Sequence, residues 1–391
     1  MNLGYASRMS LVAPSAIRDL LRHGADPEII SFGGGYPDPA LFPMADLHEV
    51  FDELLAGDPV NLQYCPSNGL PVLREQIAAR LTRDGLVCGA DDVLIIQGGQ
   101  QGLDLAAKLV LDPGDTVITE NPTFLGALIA FNPFEPGYAP VRIDGDGMDT
   151  DHLEHVLAGA QRAKLIYTVP DFQNPTGITM SLTRRHRLIE LANRYDLLVV
   201  EDTPYRELRY DGAPLPTLKS LDTEGRVLHL GSFSKILAPG MRLGWAVASR
   251  EVLEKLELLK LAADTQCGTL NMAATSAYLD KYDIDAHIEV ARAAYRRKRD
   301  LILRALAATF PATVRHTTPR GGLFTWLTFP DGFDTAAFMR DEALPKAKVA
   351  YVPGATFFPA APEANHARLS FSGLPDERLT EGITRLGALL R

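Results

Sequence analysis

Ser232-Phe-Ser-Lys-Ile-Leu-Ala-Pro-Gly-Met-Arg242 sets one lysine between a pair of serines and an arginine that follows a Pro-Gly turn. An amine on a flexible stem condenses with an aldehyde, while hydroxyls and a guanidinium grip a phosphate. Together they read as a site for an aldehyde cofactor that carries a phosphate. Lys235 is the candidate covalent residue, with Ser232, Ser234 and Arg242 as phosphate ligands. The stretch alone also fits a strand that ends in a solvated loop, so its upstream neighbours decide.

Such a cofactor, pyridoxal 5'-phosphate, needs an acid that keeps its ring nitrogen protonated. The apolar run Leu197-Leu-Val-Val-Glu-Asp202 ends in Asp202, an inward-facing carboxylate that is costly to bury unless a cation pairs with it. A pyridinium is such a cation. Lys164-Leu-Ile-Tyr-Thr-Val169 is a second apolar run, followed by Pro170-Asp-Phe-Gln-Asn-Pro-Thr-Gly177. Asn-Pro-Thr-Gly is turn chemistry, and the Asn174 amide, like the Tyr205 hydroxyl, can donate to the cofactor's phenolic oxygen. In Val93-Leu-Ile-Ile-Gln-Gly-Gly-Gln-Gln-Gly-Leu-Asp-Leu-Ala-Ala-Lys-Leu-Val110 a short strand breaks at Gly98-Gly99, and apolar residues then recur with helical spacing. Free N–H groups at Gly99, Gln100 and Gln101 then face an anion at a helix start. This is neither a dinucleotide fingerprint nor a P-loop, because G-x-G-x-x-G and Gly-Lys-Ser/Thr are both missing.

These pieces, in this order, resemble the fold-type I, class I/II aminotransferases over nearly the whole chain. The strings Ser31-Phe-Gly-Gly-Gly-Tyr-Pro37, Leu62-Gln-Tyr-Cys-Pro66, Gln173-Asn-Pro-Thr-Gly177 and Gly231-Ser-Phe-Ser-Lys235 are most similar to the α-aminoadipate and kynurenine aminotransferase branch. The resemblance implies an α/β fold whose large domain, 46–285, holds a mostly parallel seven-stranded sheet with one antiparallel member. A smaller α+β domain would combine 1–45 with 286–391. It implies a ping-pong transfer of an amino group between an L-amino acid and a 2-oxo acid, with glutamate and 2-oxoglutarate as one pair. Lys235, Asp202 and Tyr205 would be catalytic. Phe124 would stack on the pyridine, and Tyr64 would reach the phosphate from the second subunit of a homodimer; plain core packing is the other reading of both. Arg368, in His366-Ala-Arg-Leu-Ser-Phe371, would grip the substrate α-carboxylate with Gly34 and Asn174 beside it. Arg18 falls where the branch meets a distal carboxylate, or is simply a solvated helix arginine. Other pyridoxal chemistries on this scaffold (elimination, cyclisation, decarboxylation, oxidation) share the same carbanion machinery. Regulators that carry the domain behind a helix-turn-helix are a further alternative, against which stands a likeness that begins near residue 14. A binding protein that has lost catalysis would not be expected to keep all these groups.

Composition agrees with an enzyme. The 391 residues are 46% hydrophobic and 23% charged, with net charge −10, which argues against a nucleic-acid face. The basic run Arg292-Ala-Ala-Tyr-Arg-Arg-Lys-Arg299 reads as a solvated helix face. Three spaced cysteines, Cys65, Cys88 and Cys267, indicate reduced thiols rather than a disulfide frame or zinc site. Neither a membrane-length apolar run nor a signal-peptide pattern is present, so a cytoplasmic protein is expected. Asp144-Gly-Asp-Gly-Met-Asp-Thr-Asp151 is superficially similar to a calcium loop, but Met148 takes a ligand position, so it reads as a surface turn and no metal is expected. Seven apolar runs, near 93, 116, 140, 164, 197, 227 and 243, are the expected strands. Asn174, Asp202 and Lys235 each lie just past the end of one, where ligands of α/β sheets collect.

Overall fold

The computed structural model describes residues 4–12 and 26–391. Fourteen strands are found among them: β1 Ile30–Ser31, β2 Val93–Ile96, β3 Thr116–Asn121, β4 Gly137–Asp144, β5 Gly147–Met148, β6 Ala163–Thr168, β7 Leu198–Asp202, β8 Val227–Ser232, β9 Gly244–Val247, β10 Arg315–His316, β11 Phe324–Thr328, β12 Val349–Ala350, β13 Val352–Pro353 and β14 His366–Ser370. The large sheet runs β2-β9-β8-β7-β6-β3-β4-β5. Each of the seven apolar runs read from the sequence is one of its strands. β9 is the antiparallel member, paired on both sides against the grain. An eighth strand, the two-residue β5, hairpins back on β4 and extends the expected seven.

Side-chain alternation explains why this sheet is covered on both faces. Val117, Leu165, Tyr167, Val200 and Leu228 enter one core. Their chain neighbours Ile118, Ile166, Val199 and Val227 enter the other. Helix Gly99–Val110 covers the first face through Leu103, Ala106 and Ala107. Helices Thr150–Gly159 and Leu182–Arg194 cover the second through Leu153, Leu157, Leu188 and Leu191. A smaller antiparallel sheet, β10-β11-β14-β13, is built from the C-terminal part of the chain, and β1 pairs in parallel with β12. The first core continues without a break into this region, through Phe324, Trp326, Val352 and Leu369.

Helix Ile284–Thr309 carries the basic run; Arg296 and Arg297 are exposed as expected, but the end of the run corrects the expectation of a solvated face. Lys298 and Arg299 are buried. The Lys298 ammonium donates to the Asp38 carboxylate at 2.5 Å and to two carbonyls, of Ser372 and Leu374, while Arg299 pairs with Asp211. A long cation whose head meets a carboxylate and carbonyls can be buried. The Asp-rich stretch 144–151 forms the β4–β5 hairpin and the entry to helix Thr150–Gly159, where Asp149 accepts from the Asp151 and His152 N–H groups.

Candidate active site

β2, β3, β6, β7 and β8 point the same way, so their C-terminal ends share one edge of the sheet. This gathers residues far apart in sequence around a cavity of about 340 Å³, within the usual range of small-molecule pockets. Gly34, Gly99, Gln100, Phe124, Asn174, Asp202, Tyr205, Ser232, Ser234, Lys235, Arg242 and Arg368, all expected from sequence, line it. Gln101 and Tyr64 do not. The Gln101 amide is turned away, donating to Asp264 at 2.7 Å while its oxygen accepts from buried Lys260. Tyr64 is 80% exposed, on the surface of the molecule. Arg18 lies outside the described residues.

Lys235 sits just past β8, with Nζ 2.9 Å from the Gly35 carbonyl. Burial, and then the charges of Arg368 and Arg242, push its amine down to about 8. Asp202 closes β7. The Tyr167 hydroxyl donates to its Oδ2 at 3.0 Å, yet burial outweighs that bond and raises the carboxyl to about 6. Among the described residues no cation pairs with it.

One end of the cavity combines three features. Gly98, at φ +72°, turns β2 into helix Gly99–Val110; the Gln101 N–H is taken by the Gly98 carbonyl at 3.2 Å, and the Gly99 and Gln100 N–H groups at the helix start have no partner among the described residues. A Cβ at Gly98 would stand 2.9 Å from Arg242 Nη2, so the turn needs glycine in both conformation and space. Arg242 is anchored by donating to the Gln97 and Pro239 carbonyls, and Ser232 Oγ accepts from the Ser234 N–H. Phe124 precedes helix Leu125–Phe131, and its ring lies where a side chain at Gly126 would be, 2.4 Å from that missing Cβ.

Arg368 is 2% exposed and crosses from β14 into the cavity. Nη1 donates to Asn174 Oδ1 at 2.9 Å and Nη2 to the Gly33 carbonyl at 2.7 Å, while Nε has no partner. Its guanidinium lies 4.4 Å above the Phe324 ring and 5.0 Å from that of Phe357. Burial lowers it to about 10, and no carboxylate pairs with it among the described residues. Asn174 Nδ2 donates to the Tyr205 hydroxyl at 3.3 Å. Arg368, Asn174 and Tyr205 thus form one chain, where the sequence suggested two independent donors.

The chain matches the family described as aminotransferase class I and II over residues 32–386. It is a class I/II aminotransferase. The aromatic-amino-acid aminotransferase 1 of Thermococcus litoralis is 40% identical over 96% of this chain and 91% of its own length. The crystal structure of the Pyrococcus horikoshii kynurenine aminotransferase aligns at TM-score 0.94 with 39% identity, covering 99% of this chain and 96% of that one. That of LysN, the α-aminoadipate aminotransferase of Thermus thermophilus complexed with N-(5'-phosphopyridoxyl)-L-leucine, aligns at 0.92 with 37% identity over 99% and 97%. The aminotransferase thus has the fold-type I architecture and uses pyridoxal 5'-phosphate to move amino groups between amino acids and keto acids. The donor set fits that cofactor. An amine without an acid partner, a buried carboxylate without a cation, a glycine cradle with free N–H groups and a guanidinium with an orphaned Nε all open into one cavity. No described helix is long and apolar enough to cross a membrane.

Sequence reading missed the groups that hold this set in place: Tyr167 against Asp202, the Phe324 and Phe357 rings beneath Arg368, and Lys260 with Asp264 behind Gln101. Tyr167 had one usable signal, a hydroxyl following the apolar pair Leu165-Ile166.

Proposed function

We propose that the aminotransferase takes glutamate and 2-oxoglutarate as one substrate pair and an aromatic amino acid or 2-aminoadipate as the other donor, with Arg368 as the α-carboxylate anchor. The buried Arg368 carries the reading. A guanidinium whose Nε is unpartnered and whose other contacts are all neutral is stabilised when a carboxylate arrives, and a bidentate fork fixes that carboxylate's orientation. Apolar walls at Leu103, Ile129, Val169 and Phe324 suit a large side chain.

Pyridoxal phosphate supplies, when bound, an aldehyde that condenses with the substrate amine and a protonated ring that accepts the electron pair left at Cα. In the reading proposed here, Asp202 holds the ring nitrogen's proton, Asn174 and Tyr205 donate to the phenolic oxygen, and Phe124 packs against the ring. Gly99, Gln100, Ser232, Ser234 and Arg242 hold the phosphate. Lys235, with an amine lowered to about 8, is uncharged for about a tenth of the time at pH 7, so Nζ can both condense with the aldehyde and take the Cα proton. Arg368 meets the α-carboxylate beside Gly34.

The exposed Tyr64 loop supports a homodimer in which Tyr64 completes the partner's phosphate site. Three free cysteines support a cytoplasmic setting. The eight-stranded sheet on one side, and the four-stranded sheet with the β1-β12 pair on the other, support a division into 46–285 and 1–45 with 286–391.

Visible spectra of the purified protein test the substrate assignment. L-Glutamate, L-2-aminoadipate and L-phenylalanine should each convert the yellow form to the amine form, and 2-oxoglutarate should reverse it. Conversion by none of these three overturns the assignment.

A further inference from the structure

Glu120 is a buried carboxylate that neither cofactor nor substrate chemistry requires. It is the last residue but one of β3 and is 1% exposed. Three donors converge on it: Thr168 Oγ1 to Oε1 at 2.6 Å, and the Val169 N–H and Gln173 Nε2 to Oε2 at 3.3 and 3.1 Å. No cation is among them.

The third donor gives Glu120 its reach. Gln173 Nε2 also donates to the Pro122 carbonyl at 2.9 Å, and Gln173 Oε1 accepts from both the N–H and the hydroxyl of Thr176 at 2.9 and 2.7 Å. Both donors and both acceptor sites of that amide are filled. Its orientation is set jointly by Glu120 and the Pro122 carbonyl: Glu120 Oε2, which also accepts from the Val169 N–H, must face the NH₂ end whether or not the carboxyl, raised by burial to about 7, is ionised. The oxygen is thereby aimed at Thr176. One turn of this bridge, 121–123, leads directly into Phe124. The other, 173–177, contains Asn174, which holds Arg368 and Tyr205.

We infer that Glu120, acting through Gln173, is a positioning residue that locks the Phe124 turn to the Asn174 turn and so sets the ring wall and the carboxylate anchor at a fixed separation. The inference rests on the placement of Phe124 and Asn174 as cofactor contacts. A buried network of this kind rigidifies only when every member is satisfied, and an orphaned donor within it costs about as much as a lost buried hydrogen bond. Glu120→Leu would take the acceptor from one of the two Gln173 Nε2 hydrogens, from the Val169 N–H and from the Thr168 hydroxyl together, leaving Gln173 Nε2 only its bond to the Pro122 carbonyl. Glu120→Gln would keep the bridge: its oxygen still accepts from Gln173 and Val169, and its NH₂ donates to a Thr168 hydroxyl that rotates to accept.

The test is titration of pyridoxal 5'-phosphate into the apoenzyme, with the circular dichroism of the bound cofactor's visible band recorded as a report on ring orientation. Glu120→Leu should weaken affinity by about tenfold to a hundredfold, change the band's dichroism, and raise KM for the amino acid more than it lowers kcat. Gln173→Leu should reproduce these changes, and it serves as the test if Glu120→Leu does not fold. Glu120→Gln should restore affinity to within about threefold with wild-type dichroism. Wild-type affinity and dichroism in Glu120→Leu, or an equal loss in Glu120→Gln, overturns the proposal. Phe124→Leu and Asn174→Ala separate it from its premise: if neither alters affinity or dichroism, the assignment of those two contacts falls first, and this proposal with it.

Discussion

Asp171, just beyond β6, and Asp202, the last residue of the neighbouring parallel strand β7, are both buried carboxylates, and they are held in opposite electrical states. Asp171 is surrounded by Arg185, Arg206 and Arg209, each within 2.9 Å. Burial alone would raise its carboxyl, but the charges of Arg185 and then Arg206 outweigh burial and hold it below the ordinary range. Asp202 has a tyrosine hydroxyl and no cation, and burial lifts it to about 6. A carboxylate whose cations are supplied by the fold is part of the scaffold. One left short of a cation is prepared for a ligand that brings its own.

The largest expected effect falls on activity at Asp202. Asp202→Ala should lower kcat/KM by about a thousandfold or more, the scale of removing a preorganised charge from a catalytic site. The apoenzyme's melting temperature should hold or rise, because a poorly compensated buried carboxylate is gone. Steady-state rates set beside calorimetry decide it, and a large loss of apoenzyme stability would erase the contrast.

Asp171→Ala should do the reverse. Three guanidinia lose their shared carboxylate at a cost of about 3–5 kcal/mol, seen in urea unfolding, while molecules that still fold keep the yellow spectrum. A loss below about 1 kcal/mol would show that backbone carbonyls such as those of Pro170 and Pro216 suffice for Arg185.

The pH dependence should also carry opposite signs. Asp202 is raised above 3.8 in the folded protein, so its contribution to apoenzyme stability is complete below pH 3.8 and lost as pH climbs through about 6. Asp202→Asn should therefore gain on wild type across that window by on the order of 3 kcal/mol. Asp171 is lowered, so its contribution is present above pH 3.8 and disappears only in more acid solution. Asp171→Asn should stay below wild type throughout pH 4–7. Urea titrations at stepped pH measure both, and parallel curves for the two variants would contradict the comparison.

Arg368 is the cationic counterpart of Asp202, a buried charge without its opposite. Arg368→Lys should raise KM for amino donors by about tenfold to a hundredfold, the worth of one or two charge-assisted hydrogen bonds, with little change in kcat or melting temperature. An unchanged KM would remove Arg368 from substrate recognition.

Much of this site was legible in the sequence because its chemistry is written in residue types at strand ends. Lys235, Asp202, Asn174, Phe124 and Arg368 all reach one cavity, as expected, and all seven apolar runs are strands. The parts that were not legible depend on pairing across the chain. Tyr167 and Asp202 meet because β6 and β7 register Tyr167 against Val200, and no local pattern states a register. Gln101 belonged to the cradle by spacing, but Lys260 and Asp264, some 160 positions away, turn its side chain elsewhere. Lys298 looked solvated until the backbone near Ser372 and Leu374 arrived to receive it.

By itself the sequence determined the kind of chemistry and the class of fold, since an amine, an acid and a glycine cradle at strand ends have few other uses, and alternation of apolar residues dictates a sheet covered on both faces. It did not determine which buried charge is structural and which is functional. Asp171 and Asp202 follow similar apolar strands, and only tertiary packing set three arginines beside one and a lone hydroxyl beside the other. The free energy of a buried charge depends on what surrounds it within a few ångströms, and most of those neighbours come from elsewhere in the chain.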